Sequence, residues 1–76
     1  MVRTALGRRA LERIALVEIR SLAGCEAATA VVIDAVPDPR FEANWRIAAV
    51  EGVPAMFAKR AIGFAQRKLR ERYVLA

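Results

Sequence analysis

Two apolar runs stand so close together that the chain has almost one way to connect them. Residues 29–36, Thr29-Ala30-Val31-Val32-Ile33-Asp34-Ala35-Val36, are β-branched and apolar at both alternating positions, as a strand with little solvent contact requires. Residues 44–50, Asn44-Trp45-Arg46-Ile47-Ala48-Ala49-Val50, alternate more cleanly, with Trp45, Ile47 and Ala49 on one face and Asn44, Arg46 and Ala48 on the other. Pro37-Asp38-Pro39 ends the first run, because proline donates no ladder hydrogen bond and pushes the residue before it out of helical space. The interval 37–43 is shorter than the crossover of about a dozen residues that a parallel return needs. An antiparallel hairpin follows.

Helical periodicity flanks it on both sides. Over residues 5–23, Leu6, Ala10, Leu11, Ile14, Ala15, Val17 and Leu22 recur at steps of three and four, while Arg9, Arg13 and Arg20 gather on the opposite side and Leu16 lies near that charged side. Thr4 is positioned to cap this helix and Gly24 to stop it in a left-handed conformation. Over residues 54–72, Pro54 suits the first helical position. There Phe57, Ala58, Ala61, Ile62, Phe64, Ala65, Leu69 and Tyr73 read as the apolar side, with Lys59, Arg60, Gln66, Arg67, Arg70 and Glu71 opposite. The order is α-β-β-α, an α+β fold in which two amphipathic helices cover a two-stranded antiparallel hairpin, and residues 1–76 make a single domain.

A lone hairpin is marginal in water, so it must be covered. The alternation sets Trp45, Ile47 and Ala49 with Val31, Ile33 and Ala35 beneath the helices, and leaves Asp34 and Arg46 outside with Ala30, Val32, Val36, Ala48 and Val50. That outer face is a large apolar area for a small monomer to leave wet, and the first strand is an edge without a Lys or Arg to discourage pairing, whereas the second carries Arg46. Val31, Val32, Ile33, Val36 and Val50 are therefore candidates for self-association, by strand edge or by sheet face, and the expected state is a homodimer.

Composition removes most chemistry. The 57% hydrophobic fraction excludes wholesale disorder, but the chain has no His and one Cys, Cys25. A four-ligand metal site is not assembled from these residues, a Cys nucleophile lacks a histidine base, and Gly7, Gly24, Gly52 and Gly63 are too far apart for a phosphate-cradling loop. No metal, no cofactor and no enzymatic activity are expected, and Cys25 reads as a small buried hydrophobe. A lone cysteine suits a reducing compartment. Residues 1–20 interleave Arg3, Arg8, Arg9, Glu12, Arg13 and Glu18 with apolar residues, unlike a signal peptide, and an uncharged run such as 27–33 is far short of a membrane span. The cytoplasm is the expected location.

Thirteen basic residues against eight acidic give a net charge of +5, which favours acidic partners. The strongest positive signal is Lys59-Arg60 followed by Arg67, Lys68, Arg70 and Arg72 on the last helix, from which Lys59, Arg60, Arg67 and Arg70 are candidate phosphate contacts. Cations also suit the end of any helix, and the one aromatic candidate for base stacking in this region, Tyr73, sits nearer the apolar side. The order α-β-β-α with Ala58-Lys59-Arg60-Ala61 resembles the double-stranded-RNA-binding domain. That family has three strands and a Gly- and Lys-rich start to its second helix, which are not found here, so its RNA-binding residues are not carried over.

Gly24-Cys25 after an Arg-rich helix, Asn44-Trp45 opening a strand after an acidic proline-bearing loop, and Tyr73-Val74-Leu75 after the last helix resemble a group of short uncharacterised bacterial proteins. The resemblance spans most of the chain and implies a small cytoplasmic protein with no site to transfer. The resulting expectation is a non-enzymatic interaction module, self-associating or held by another protein partner. The alternative is a nucleic-acid binder using the basic face of the last helix. A membrane-surface role is disfavoured because the core needs the apolar sides of both helices.

Overall fold

In the computed structural model, which describes residues 3–36 and 44–76, the chain runs β1 (Thr4–Leu6), α1 (Arg8–Arg20), β2 (Ala30–Ala35), β3 (Trp45–Glu51), α2 (Ala55–Arg70) and β4 (Tyr73–Leu75). The expected hairpin is present: β2 and β3 pair antiparallel, from Ala30 opposite Glu51 to Ala35 opposite Trp45. Its connection at 37–43 lies outside the described residues. Both helices pack on one face of this small α+β fold, α1 against β2 and α2 against β3, and they touch each other.

Two strands were not expected. β1 and β4 pair in parallel, with Thr4 opposite Tyr73 and Leu6 opposite Leu75. Thr4 therefore is not the cap of α1: its N–H donates to the Arg72 carbonyl (2.9 Å), and Ala76 donates to the Leu6 carbonyl (2.7 Å). This pairing takes residues 4–6 out of the helix, which starts after Gly7. At the other end α1 stops at Arg20, with Gly24 left-handed in the turn beyond it (φ +84°). Pro54 caps α2 rather than opening it, and α2 stops at Arg70, which delivers Tyr73 to β4 instead of to the helix.

A bulge sets the faces of the sheet. The register passes from Val32 opposite Ala49 to Ile33 opposite Ile47, so Ala48 is an extra residue on β3. Alternation thus shifts by one beyond it. Ala49, expected inside, is exposed, and Val50, expected outside, packs against the core beside Val31. Ala35 is exposed as well.

The core joins Leu11, Ala15 and Ile19 of α1 to Val31, Ile33, Trp45 and Ile47 of the sheet and to Ala61, Ala65 and Leu69 of α2. Trp45 is fully buried, as its place on the apolar face required, and its indole N–H donates to the Tyr73 carbonyl (3.0 Å). Small residues dominate the buried side of α2, so the largest side chain of the sheet lies under the helix that brings the least bulk. Burying each Leu or Ile of this set stabilises by about 1.5–3 kcal/mol.

The helices also occupy the sheet's edges. Glu12 of α1 accepts the Ile33 N–H (3.3 Å), and Gln66 of α2 accepts the Ile47 N–H (2.8 Å). Ahead of β3, the Asn44 side chain stands in for a strand against β4: Nδ2 donates to the Leu75 carbonyl (2.9 Å) and Oδ1 accepts the Leu75 N–H (2.8 Å). These bonds tie the two sheets together without a continuous ladder.

Candidate functional site

On α2, the buried row is Ala58, Ala61, Ala65 and Leu69. Next to it runs a second row, Phe57, Arg60, Phe64 and Arg67, at successive steps of three and four, which places it along one side of the helix. The expectation that both phenylalanines belong to the core is corrected: Phe57 is 42% exposed and Phe64 60%. The reason is geometric. An arc containing Phe57, Phe64 and Ile62 together is wider than the row Ala58, Ala61, Ala65 and Leu69 that the core covers.

Lys59, Arg60 and Arg67 are exposed on the same helix, and none of the three has an ion pair among the described residues. They border a shallow depression of about 530 Å³ whose floor includes Gly63 and Phe64. A Cβ at Gly63 would meet nothing within 4 Å, so the helix backbone is open there. Lys68 belongs partly to the scaffold, since its Nζ lies 2.9 Å from Glu18 of α1. Among the described residues, Glu71 is the one acidic residue bordering the depression.

The turn after α1 supports this surface from one side. A Cβ on Gly24 would come within 3.0 Å of the Phe57 ring, so the glycine leaves room for that ring beside the turn. Phe57, Phe64 and Arg60 border a second, more apolar groove of about 490 Å³ with Leu22 and Ala23 on its far wall. Cys25 is buried, as expected of a small hydrophobe, with Sγ 4.0 Å from the Phe57 carbonyl.

Arg70 stands apart from the other candidate cations. It is half-buried, and its Nε and Nη2 donate to the Trp45 carbonyl at 2.9 and 2.7 Å with the guanidinium 6.0 Å from the indole centroid. Its own carbonyl accepts from Arg3 (2.7 Å). Burial lowers its pKa from the ordinary guanidinium value. Arg70 ties α2 to β3, whereas Lys59, Arg60 and Arg67 face solvent together.

The self-association candidates divide similarly. The side chains of Val31 and Ile33 are buried, Val50 packs on the core and Val36 is half-buried, which leaves Val32, 39% exposed, on the outer face. There the apolar surface is interrupted by the Arg46 and Asp34 pair at 3.7 Å. Tyr73, read as lying nearer the apolar side of the last helix, is half-buried in β4.

Sequence reasoning missed the exposed phenylalanines. The signal lay in the second row: it repeats Phe-x-x-Arg twice, at Phe57 and Arg60 and again at Phe64 and Arg67, beside an alanine row able to face the core alone. Among the described residues no group of three or more Cys, Asp or Glu side chains is placed to hold a metal ion, and no helix is long and apolar enough to cross a membrane. The chain matches no protein-family model, no curated protein and no solved structure.

Proposed function

We propose that this protein is a non-catalytic interaction module whose working surface is the outer side of α2, and that the partner held there is polyanionic. The observation carrying this reading is the row Phe57, Arg60, Phe64 and Arg67, in which two exposed rings alternate with two cations that have no ion-pair partner among the described residues. Such a surface is costly to leave wet and costly to press against neutral apolar surface, because the guanidinium groups would lose their hydration without compensation. An anionic partner removes both costs. A second copy does not suit this face, since a two-fold axis would set Arg60 and Arg67 of one copy against the same patch of the other. A reducing, cytoplasmic setting accords with the single cysteine.

Heparin, a polyanion without bases, tests the reading. The wild type is expected to be retained on heparin and to elute at clearly higher salt than the double variant Arg60→Gln, Arg67→Gln, with identical circular dichroism for the two. Glutamine is a good helix former at exposed positions, so folding is preserved. Equal elution of the two proteins would refute the proposal.

Self-association through β2 is a second reading, favoured by exposed Val32 on a strand that carries no Lys or Arg. Val32→Lys is expected to shift a sedimenting dimer to monomer while secondary structure persists. A wild type that sediments as a monomer at millimolar concentration excludes it.

A further inference from the structure

We infer that the polyanion is single-stranded nucleic acid, with Phe64 and Phe57 as platforms for unstacked bases and Lys59, Arg60 and Arg67 on the phosphates; this rests on reading the outer side of α2 as a polyanion-binding face. Charge alone accounts for the cations but leaves the rings without a role. Nucleic acid is the polyanion that also carries flat apolar faces, and aromatic stacking combined with a cationic track is how sequence-tolerant single-strand binding works. A duplex keeps its base faces inside the stack, so it offers the rings only sugar and phosphate.

The geometry sets the spacing. Phe57 and Phe64 are seven residues apart, about 10.5 Å along a helix rising 1.5 Å per residue. That exceeds the step of about 3.4 Å between stacked nucleotides, so the two rings take bases that are not stack neighbours. Arg60 lies between the two rings along the axis, where it can meet the backbone joining their bases, and on the flank away from the rings Gly63 presents no side chain, with nothing within 4 Å of where a Cβ would stand. Arg60 lies on one side of this gap and Arg67 on the other, each one helical turn from Gly63, so a sugar-phosphate segment can approach the helix backbone with a cation at either hand.

An anionic membrane fits less well. Taking 100° per residue from the buried row, Arg60 and Arg67 fall near the middle of the exposed arc, between Phe57 and Phe64 on one flank and Met56 and Gly63 on the other. A helix lying in a bilayer surface keeps its cations at the borders of the apolar face, whereas these would be pressed toward the acyl layer.

The test compares four probes: fluorescent oligo-dT, an abasic strand of equal phosphate number, the corresponding duplex, and heparin. The wild type is expected to bind oligo-dT more tightly than the abasic strand by about five- to 150-fold for each stacked base. Phe64→Ala should erase much of that difference while leaving abasic and heparin affinity unchanged. Phe64→Leu, which keeps apolar bulk without a π-face, should behave as Phe64→Ala does, and Phe64 is exposed enough for both variants to fold. Arg60→Gln with Arg67→Gln should instead reduce the log–log salt slope by about 1.4, two phosphates at about 0.7 each. Equal affinity for oligo-dT and the abasic strand, a preference for duplex, or a Phe64→Ala loss that is the same on every probe overturns the inference while heparin retention keeps the polyanion reading. Failure on all four probes overturns both.

Discussion

Gly63→Ala separates the fold of α2 from its use. Gly63 is an interior residue of the helix Ala55–Arg70, it is exposed, and a Cβ built there meets nothing within 4 Å. The substitution therefore adds no clash and removes the conformational freedom that glycine keeps in the unfolded chain, a gain of about 1 kcal/mol at an exposed helix interior. For 76 residues the total stability is on the order of 4–11 kcal/mol, so the gain is measurable, and it corresponds to a rise in Tm of about 4–8 °C for a domain of this size. Urea denaturation followed by circular dichroism, with an unchanged slope, gives the free energy directly. The same methyl stands in the gap between Arg60 and Arg67, so heparin elution and oligo-dT affinity are expected to fall as Tm rises. A Tm that drops would refute the assignment of Gly63 to an unstrained helix interior. A raised Tm with undiminished binding would show that no partner approaches the helix backbone at this point.

Gly52 should respond in the opposite sense. It is left-handed (φ +88°), and a Cβ would lie 2.7 Å from the Ala27 carbonyl oxygen and 3.0 Å from the Thr29 nitrogen, so Gly52→Ala combines backbone strain with a clash against backbone and is expected to cost about 2–5 kcal/mol in urea titrations. A cost no larger than that of Gly24→Ala, where the obstacle is the movable Phe57 ring, would contradict this. Asn44→Ala deletes both bonds to Leu75 and is expected to cost about 1–2 kcal/mol at this exposed position. Amide exchange should then accelerate at Leu75 while Ile33 keeps its protection, and unaltered exchange at Leu75 would show that β4 does not depend on Asn44.

What the sequence made legible is what depends on neighbours in the chain. The hairpin follows from two β-branched runs and a short proline-bearing interval, and the helices follow from steps of three and four. β1 and β4 were hidden because Thr4 and Tyr73 find each other across nearly the whole chain, and residues 4–6 carry no alternation long enough to compete with the helical reading. The bulge at Ala48 was hidden for a different reason. Ile47-Ala48-Ala49-Val50 contains no glycine or proline to mark it, yet one extra residue exchanged the faces of Ala49 and Val50 and thinned the apolar surface that had pointed to a dimer. Among the candidate cations, Arg70 could not be told from Arg67 by composition or spacing, because the difference is a carbonyl at Trp45 that the fold brings within reach of one of them.

That difference also explains why the outer side of α2 is available for binding. The polar side chains close to the core are already committed: Glu12 and Gln66 to strand edges, Asn44 and Arg70 to backbone at β3 and β4, and Lys68 to Glu18. Each compensates a backbone group or a charge that folding would otherwise leave exposed to a dry neighbour. Lys59, Arg60 and Arg67 compensate nothing in the described fold, and Phe57 and Phe64 remain exposed beside a core that α2 lines largely with alanines. Side chains spared by the scaffold, in a row on one rigid helix, can be changed without unfolding the chain, which is the physical condition for a surface kept for a partner rather than for stability.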